Sequence, residues 1–216
     1  MKTVVVLGGE LAAGPRIKAA LESADFVIAA NGGAERLERI GIVPDVVIGD
    51  LDSIPDARLE ELRHRVPELL RYPTRKDATD AELALDEAVA RGATDITVIG
   101  AFGGPRTDHE IANVLLLAAP SIRGRDVRLL TDLFEAWAVC NSKRVFTAQP
   151  GDTVSLVPVG DAVAGVATHG LEWKLDNATL TVGSTYTISN AATSSQASVL
   201  VETGTVILFH YFGAGY

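Results

Sequence analysis

A chain of 216 residues that is 47% hydrophobic can bury a substantial core, as one large domain or two small ones. Its 28 acidic residues outweigh 19 basic ones for a formal charge of −9, which excludes a nucleic-acid backbone as the main ligand, because that partner needs a positive footprint. Cys140 is the only cysteine, so an intramolecular disulfide is excluded and a zinc cluster is disfavoured. A small nucleotide stays admissible, since a few local cations and a metal ion suffice for it.

In chain order, the first apolar run, residues 3–7, stops at Gly8-Gly9-Glu10. It is too short for a signal segment or a bilayer span, and no later stretch reaches membrane length, so the expectation is a soluble cytoplasmic protein. That run and those at 26–30, 46–48, 96–99 and 127–130 read as buried strands. Helical patterns lie between them, at 15–23, 34–40, 57–65, 80–90 and 108–118. Such alternation predicts a mainly parallel sheet with helices on both faces, and ligands bind outside the carboxyl ends of the strands of such sheets. From Phe134 onward Gly, Thr, Val and Ser dominate, and strand patterns at 154–157, 163–167, 179–182, 197–201 and 205–209 alternate with turn residues. The expected fold is therefore α/β over residues 1–132, followed by an all-β sandwich domain over 133–216.

Three polar clusters fall where ligands are expected. The first is Gly49-Asp50-Leu51-Asp52-Ser53, at the end of a buried strand. In an extended backbone residues i and i+2 share a side, so Asp50 and Asp52 are expected to face one point. Paired carboxylates there are poor for stability but suit a hard cation such as Mg²⁺ carrying phosphate. The second is Lys76-Asp77-Ala78-Thr79-Asp80. Thr79 and Glu82 fit a capping box, while Asp80 is either a dipole-compensating residue or a third metal-binding carboxylate. The third is Gly103-Gly104-Pro105-Arg106-Thr107-Asp108-His109. Thr107 and Glu110 match a second capping box, and Arg106 either forks onto phosphate oxygens or forms a surface pair with Asp108. Gly32 and Gly33 follow a strand and fit either a close nucleotide approach or a tight strand-to-helix turn. No Walker A loop or complete dinucleotide fingerprint is present, and no Ser, Cys or His nucleophile motif.

In order and spacing these clusters resemble the thiamine pyrophosphokinase (thiamine diphosphokinase) family over nearly the whole chain. The resemblance is carried by Asn31-Gly32-Gly33-Ala34, Pro44-Asp45, the Asp50 and Lys76 clusters, Arg106-Thr107-Asp108-His109 with Asn113, His169-Gly170-Leu171-Glu172-Trp173 and Ser189-Asn190. It implies transfer of a diphosphate from ATP to the hydroxyl of thiamine, giving thiamine diphosphate and AMP. It also implies a nucleotide-binding catalytic domain joined to a thiamine-binding sandwich, in a homodimer with active sites between subunits. By similarity, Asp50, Asp52 and Asp80 hold Mg²⁺. Asp77, Arg106 and Asp108 act with them on the polyphosphate or the hydroxyl, and Gly32, Gly33, Lys76, Arg106 and His109 contact ATP. Thr187, Ser189 and Asn190 line the thiamine pocket. The chain departs from the usual pattern at Asn31, where Asp is common, at Leu51 and Lys174, and at Ala191-Ala192, where an acidic or amide residue and a nearby aromatic are usual. The aromatic matters because a cationic thiazolium gains from stacking. Two alternatives stay open: a diphosphokinase for another hydroxymethyl heterocycle such as a pterin, and a nucleotide-binding protein of the same fold without turnover.

Overall fold

Residues 1–51 and 56–214 are described in the structure, a computed structural model. The chain divides into two units, Met1–Asp132 and Leu133–Tyr216.

In the first unit, continuous runs of Val, Ile and Ala form strands covered on both faces. In chain order the elements are β1 (Lys2–Val6), α1 (Pro15–Glu22), β2 (Phe26–Ala30), α2 (Gly33–Arg39), β3 (Val46–Gly49), α3 (Asp56–Arg65), β4 (Glu68–Arg71), α4 (Asp80–Ala90), β5 (Asp95–Ile99), α5 (Thr107–Leu116) and β6 (Asp126–Leu130). The strands lie in the order β4-β3-β2-β1-β5-β6, and every pairing among them is parallel. Val5, Val6, Ile28, Val46, Ile48, Ile96 and Ile99 are fully buried along them, as expected of a sheet with helices on both faces. The strand β4 was not anticipated; it is an edge strand of three half-exposed residues and the exposed Arg71, and carries no β-branched signal.

The strand order reverses between β1 and β5, and this reversal opens a crevice at the carboxyl ends of the strands. The two strand exits are stitched together there: Gly9 N–H donates to Gly100 O at 2.9 Å and Glu10 N–H to Phe102 O at 2.7 Å. Only glycine fits at position 9, where a Cβ would lie 2.2 Å from the Phe102 carbonyl oxygen. The Thr79 cap forms as expected, its Oγ1 accepting the Glu82 N–H at 3.2 Å. The second expected box does not. α5 starts at Thr107 with no side-chain cap, and Glu110 instead reaches back to accept the Gly103 N–H at 2.7 Å. No helix among the described residues is long and apolar enough to cross a membrane.

The second unit is built of strands: β7 (Phe134–Cys140), β8 (Lys143–Thr147), β9 (Asp152–His169), β10 (Ala178–Thr181), β11 (Asn190–Ala191), β12 (Gln196–Leu200) and β13 (Thr203–Ala214). The 18-residue β9 pairs with four other strands of the unit, β10 among them. Its first half runs between β13 and β11, with β7 on the far side of β13. Its last residues pair with β12, which pairs in turn with β8. Side chains from both groups of strands, among them Trp137, Phe146, Leu156, Val166, Val199 and Leu208, fill one apolar core, the construction of a sandwich. The sequence patterns at 154–157 and 163–167 read as two separate strands. In the fold Gly160 takes φ +86° and bends one strand instead of ending it.

One buried ionic cluster ties this unit together. His210 on β13 is 2% exposed; its Nε2 lies 2.8 Å from Asp152 Oδ2 and its Nδ1 3.3 Å from Glu135 Oε1. Burial pulls the His210 pKa down, but the hydrogen bonds and charges of Glu135 and Asp152 outweigh it and hold the value above 6.5. Burial likewise raises Asp152, yet amide donors from Gln149 and Gly213 and the His210 ring bring it below 3.8. The His210 contribution to stability is therefore complete below pH 6.5 and is lost as pH rises through the folded value. The Asp152 contribution is complete above pH 3.8 and is lost as pH falls through its folded value. Thermal denaturation across pH should show a midpoint that declines on the alkaline side of 6.5. His210→Gln should flatten that decline and cost about 3 kcal/mol, as when one partner of a buried pair is removed. An alkaline limb unchanged by the substitution would contradict a charged imidazole.

Candidate active site

The ends of β1, β2, β3 and β5 and the first turns of α4 and α5 surround a cavity of about 460 Å³ at the strand-order reversal. Asn31 leaves β2 in a left-handed conformation, φ +46°, and its Nδ2 donates to Asp80 Oδ2 at 3.0 Å and to Asp50 Oδ1 at 3.4 Å. One amide thus holds together a carboxylate from the end of β3 and another from the first residue of α4, where the helix dipole favours negative charge. Lys76 Nζ meets Asp80 Oδ1 at 2.5 Å, and the two side chains are only 16% and 23% exposed. The Lys76 charge therefore offsets the carboxylates at a place where water screens little.

A hard divalent cation fits these donors. Asp50 Oδ1 and Asp80 Oδ2 both accept from Asn31 Nδ2 and so lie near one another, and Asn31 Oδ1 is buried with no hydrogen-bond partner among the described residues. Mg²⁺ commonly takes one or two carboxylates and fills its shell with water and phosphate oxygens. Among the described residues no three His, Cys, Asp or Glu side chains form a metal-holding group by themselves. Asp52 and Ser53 lie outside the described residues. β3 ends at Gly49 and Leu51 has φ +58°, so the extended backbone on which the shared face of Asp50 and Asp52 was expected stops before Asp52. Leu51 is 3% exposed, and placing its apolar side chain in the core accompanies the turn out of the strand.

The remaining nucleotide-side residues divide in two. Gly32, Lys76, Arg106 and His109 line the cavity, whereas Gly33, Asp77 and Asp108 do not. Gly33 serves packing, since a Cβ there would sit 2.1 Å from the Val6 carbonyl oxygen. Asp77 is exposed. Asp108 takes the Arg106 guanidinium in a fork, Nε to Oδ1 at 2.9 Å and NH2 to Oδ2 at 2.6 Å. This pair lies in the open, with 64% and 63% exposure, and the Arg106 hydrogen bond lowers the Asp108 pKa to about 2. Sequence reasoning named Glu110 as a cap and Asn113 as a motif residue, but missed that both hold the glycine loop at the cavity rim. Glu110 binds the Gly103 N–H, and Asn113 donates to Ala101 O at 2.9 Å. Their i, i+3 spacing on α5 was the available signal.

The second unit has its own cavity of about 400 Å³, with Val154, Leu156, Leu171 and Leu175 as apolar lining and Trp173 and Tyr186 beside them. Trp173 is 60% and Tyr186 71% exposed. Two exposed aromatics therefore border this cavity, one in the turn following β9 and one four positions before Asn190. Thr187 and Asn190 line this cavity and Ser189 does not. Thr187 Oγ1 donates to Leu156 O at 2.6 Å. Ser189 has φ +64° and donates its N–H to Ser155 Oγ at 3.0 Å. Glu172, Lys174, Thr187 and Asn190 add polar groups to this lining, and an apolar floor edged by aromatic and polar side chains can take a flat heterocycle.

Comparison with known proteins agrees with both halves. Residues 17–129 match the family model for the thiamin pyrophosphokinase catalytic domain, and residues 144–208 match the thiamin pyrophosphokinase vitamin B1 binding domain. The thiamine pyrophosphokinase of Bacillus subtilis (strain 168) is 27% identical over 96% of this chain and 98% of that protein. Thiamine pyrophosphokinase 1 of Oryza sativa subsp. japonica is 28% identical over 87% of this chain and 78% of its own length. The crystal structure of thiamine pyrophosphokinase from Bacillus subtilis superposes with a TM-score of 0.85 at 24% identity, covering 98% of this chain and 99% of that one, a likeness of fold. Because the catalytic-domain match alone spans more than half of the 216 residues and the vitamin-binding match follows it in the second unit, the chain belongs to the thiamine pyrophosphokinase family.

Proposed function

We propose that the chain transfers the terminal diphosphate of ATP to the hydroxyl of thiamine, releasing AMP, with Mg²⁺ at the Asp50–Asp80 site. The observation that carries this reading is the junction of Asp50, Asn31, Asp80 and Lys76 at the strand-order reversal of a family catalytic domain. Attack on the β-phosphorus spreads negative charge over phosphate oxygens in a loose transition state, so positioning and charge compensation do most of the catalysis.

Asp50 and Asp80, with Asp52 assigned by its sequence pattern, would hold Mg²⁺, whose charge draws electron density from the phosphate oxygens when bound. Lys76 supplies a positive charge fixed in the same cavity. Arg106 presents a planar guanidinium at the rim and can exchange its fork on Asp108 for phosphate oxygens. Asp108, with a pKa near 2, is an anion at neutral pH and a weak proton acceptor, so it orients Arg106 and does not act as the general base. His109 lines the nucleotide side; the geometry gives Asp77 no role. The acceptor occupies the cavity beside Trp173 and Tyr186, where aromatic faces favour a cationic ring. Neither a pterin acceptor nor loss of turnover is favoured, since the vitamin B1 binding match spans the second unit.

A homodimer is part of this proposal: the acceptor cavity of one copy would serve the nucleotide cavity of another. It is supported by the exposed apolar side chains Ile111 and Leu115 on α5 and Trp173, Tyr186 and Ile188 around the acceptor cavity. Light scattering should give twice the chain mass; a monomer that turns over thiamine would remove the intersubunit arrangement.

Asp80→Asn and Asp50→Asn should each lower turnover at least about a hundredfold, the scale of losing a key electrostatic contact. Folding should be preserved, because Asn keeps the side chain's shape and relieves carboxylate repulsion. AMP release that persists at wild-type rate in either variant would refute the metal assignment. AMP release dependent on a hydroxymethylpterin and indifferent to thiamine would refute the acceptor.

A further inference from the structure

Asn190 is the first residue of β11 and pairs with Val154 of β9. Its side chain is committed to the main chain of Trp173. Oδ1 accepts the Trp173 N–H at 3.0 Å, and Nδ2 donates to the Trp173 carbonyl at 2.7 Å. The same Oδ1 also accepts the N–H of Ala191 at 2.8 Å. Both acceptor sites of the amide oxygen are thereby used, and one of its two N–H donors.

The loop carrying Trp173 is pinned on either side of that residue. Before it, Glu172 N–H donates to Ala191 O at 2.9 Å and Leu171 bridges to Ala192. After it, Leu175 N–H donates to Thr168 Oγ1 at 2.8 Å. The indole of Trp173 borders the acceptor cavity while remaining 60% exposed, so little packing restrains it. Among the described residues, the two bonds from Asn190 are the main-chain hydrogen bonds of Trp173 itself.

From this we infer that Asn190 is a positioning residue for the acceptor: it locks the main chain of Trp173 so that the indole stands ready at the cavity before the ring arrives. The inference rests on the reading of this cavity as the thiamine site. A wall fixed in advance spares the ordering cost otherwise met at binding. The chemistry requires a carboxamide, because adjacent donor and acceptor atoms must meet the N–H and carbonyl of one residue. A carboxylate would set a second oxygen against the Trp173 carbonyl, and alanine would release both ends.

The test uses the full-length protein with Asn190→Ala, Asn190→Asp, Trp173→Ala and the Asn190→Ala/Trp173→Ala double variant. Thiamine KM, ATP KM and kcat are measured for each, with thermal melting as a check of folding. Asn190→Ala should raise thiamine KM about tenfold and leave ATP KM unchanged. Asn190→Asp should weaken thiamine as much as Asn190→Ala does, although a carboxylate touching the cationic ring directly would tighten it. In the double variant the loss should not exceed that of Trp173→Ala alone, since both changes act through one indole. The chain has two tryptophans, so Trp137→Phe isolates Trp173 emission. In that background Asn190→Ala should shift the emission and ease acrylamide quenching without any ligand.

Tighter thiamine binding by Asn190→Asp, additive losses in the double variant, or unchanged Trp173 emission would each overturn the inference. An emission shift together with an unaltered thiamine KM in Trp173→Ala would uphold the lock on Trp173 and refute the cavity as the thiamine site. If Asn190→Ala fails to fold, Asn190→Asp carries the same kinetic and emission tests.

Discussion

The structure of the first unit turns on a conflict of charge: Asp50 and Asp80 are brought to one point, and something must make that tolerable. Asn31 does so by donating a single amide group to both carboxylates, and Lys76 by pairing with Asp80. Neither element alone could present this arrangement. It needs the end of β3, the exit of β2 and the start of α4 to meet, and the parallel sheet with its reversal between β1 and β5 makes them meet. Such a concentration of charge would be a liability in a purely structural protein. In the proposed function the same arrangement would hold a divalent cation, with Lys76 offsetting one of the two carboxylate charges.

The second unit solves a different problem, that of presenting an apolar recess on a sheet without unravelling it. β9 pairs with β13, β11, β12 and β10 and supplies Val154 and Leu156 to the recess, while Asn190 of β11 and Trp173 of the turn after β9 line it. Behind this wall lie Asp152 and His210. Asp152 anchors the Gln149 turn and the Gly213 amide, and its carbonyl accepts the Ala192 N–H. The backbone next to Asn190 is therefore held from the core side by a buried ionic cluster and from the cavity side by the Trp173 contacts. Rigid polar clamps of this kind give an acceptor site its shape, and the apolar lining gives it affinity.

Much of this was legible in the sequence. Uninterrupted Val and Ile runs specify buried parallel strands, and Thr79 followed by Glu82 specifies the start of α4. Asp50 and Asp80 were both singled out at element ends, with a dipole-compensating role left open for Asp80, and the topology places them beside one another through Asn31. The failures have physical causes. The expectation of an extended backbone through Leu51 is one: Leu51 is buried in a left-handed conformation, which strand periodicity alone does not signal. Glu110 has the spacing of a cap, but local sequence cannot show that the Gly103 amide competes for it. Trp173 was seen as a motif residue and not as an aromatic bordering the second unit's cavity, because the pairing of β11 with β9 that brings it to Asn190 is non-local. β4 and the continuity of β9 escaped notice for a similar reason: edge pairing and a glycine bend leave weak local signals.

The most direct test of the central claim is phosphorus NMR of the purified protein with ATP, Mg²⁺ and thiamine, following every phosphate resonance to completion. The account predicts that AMP and thiamine diphosphate appear in equal amounts, with thiamine monophosphate and ADP absent from the first turnover onward. Formation of ADP with thiamine monophosphate would place the attack on the γ-phosphorus and contradict the account, as would ATP left unconsumed in the presence of thiamine.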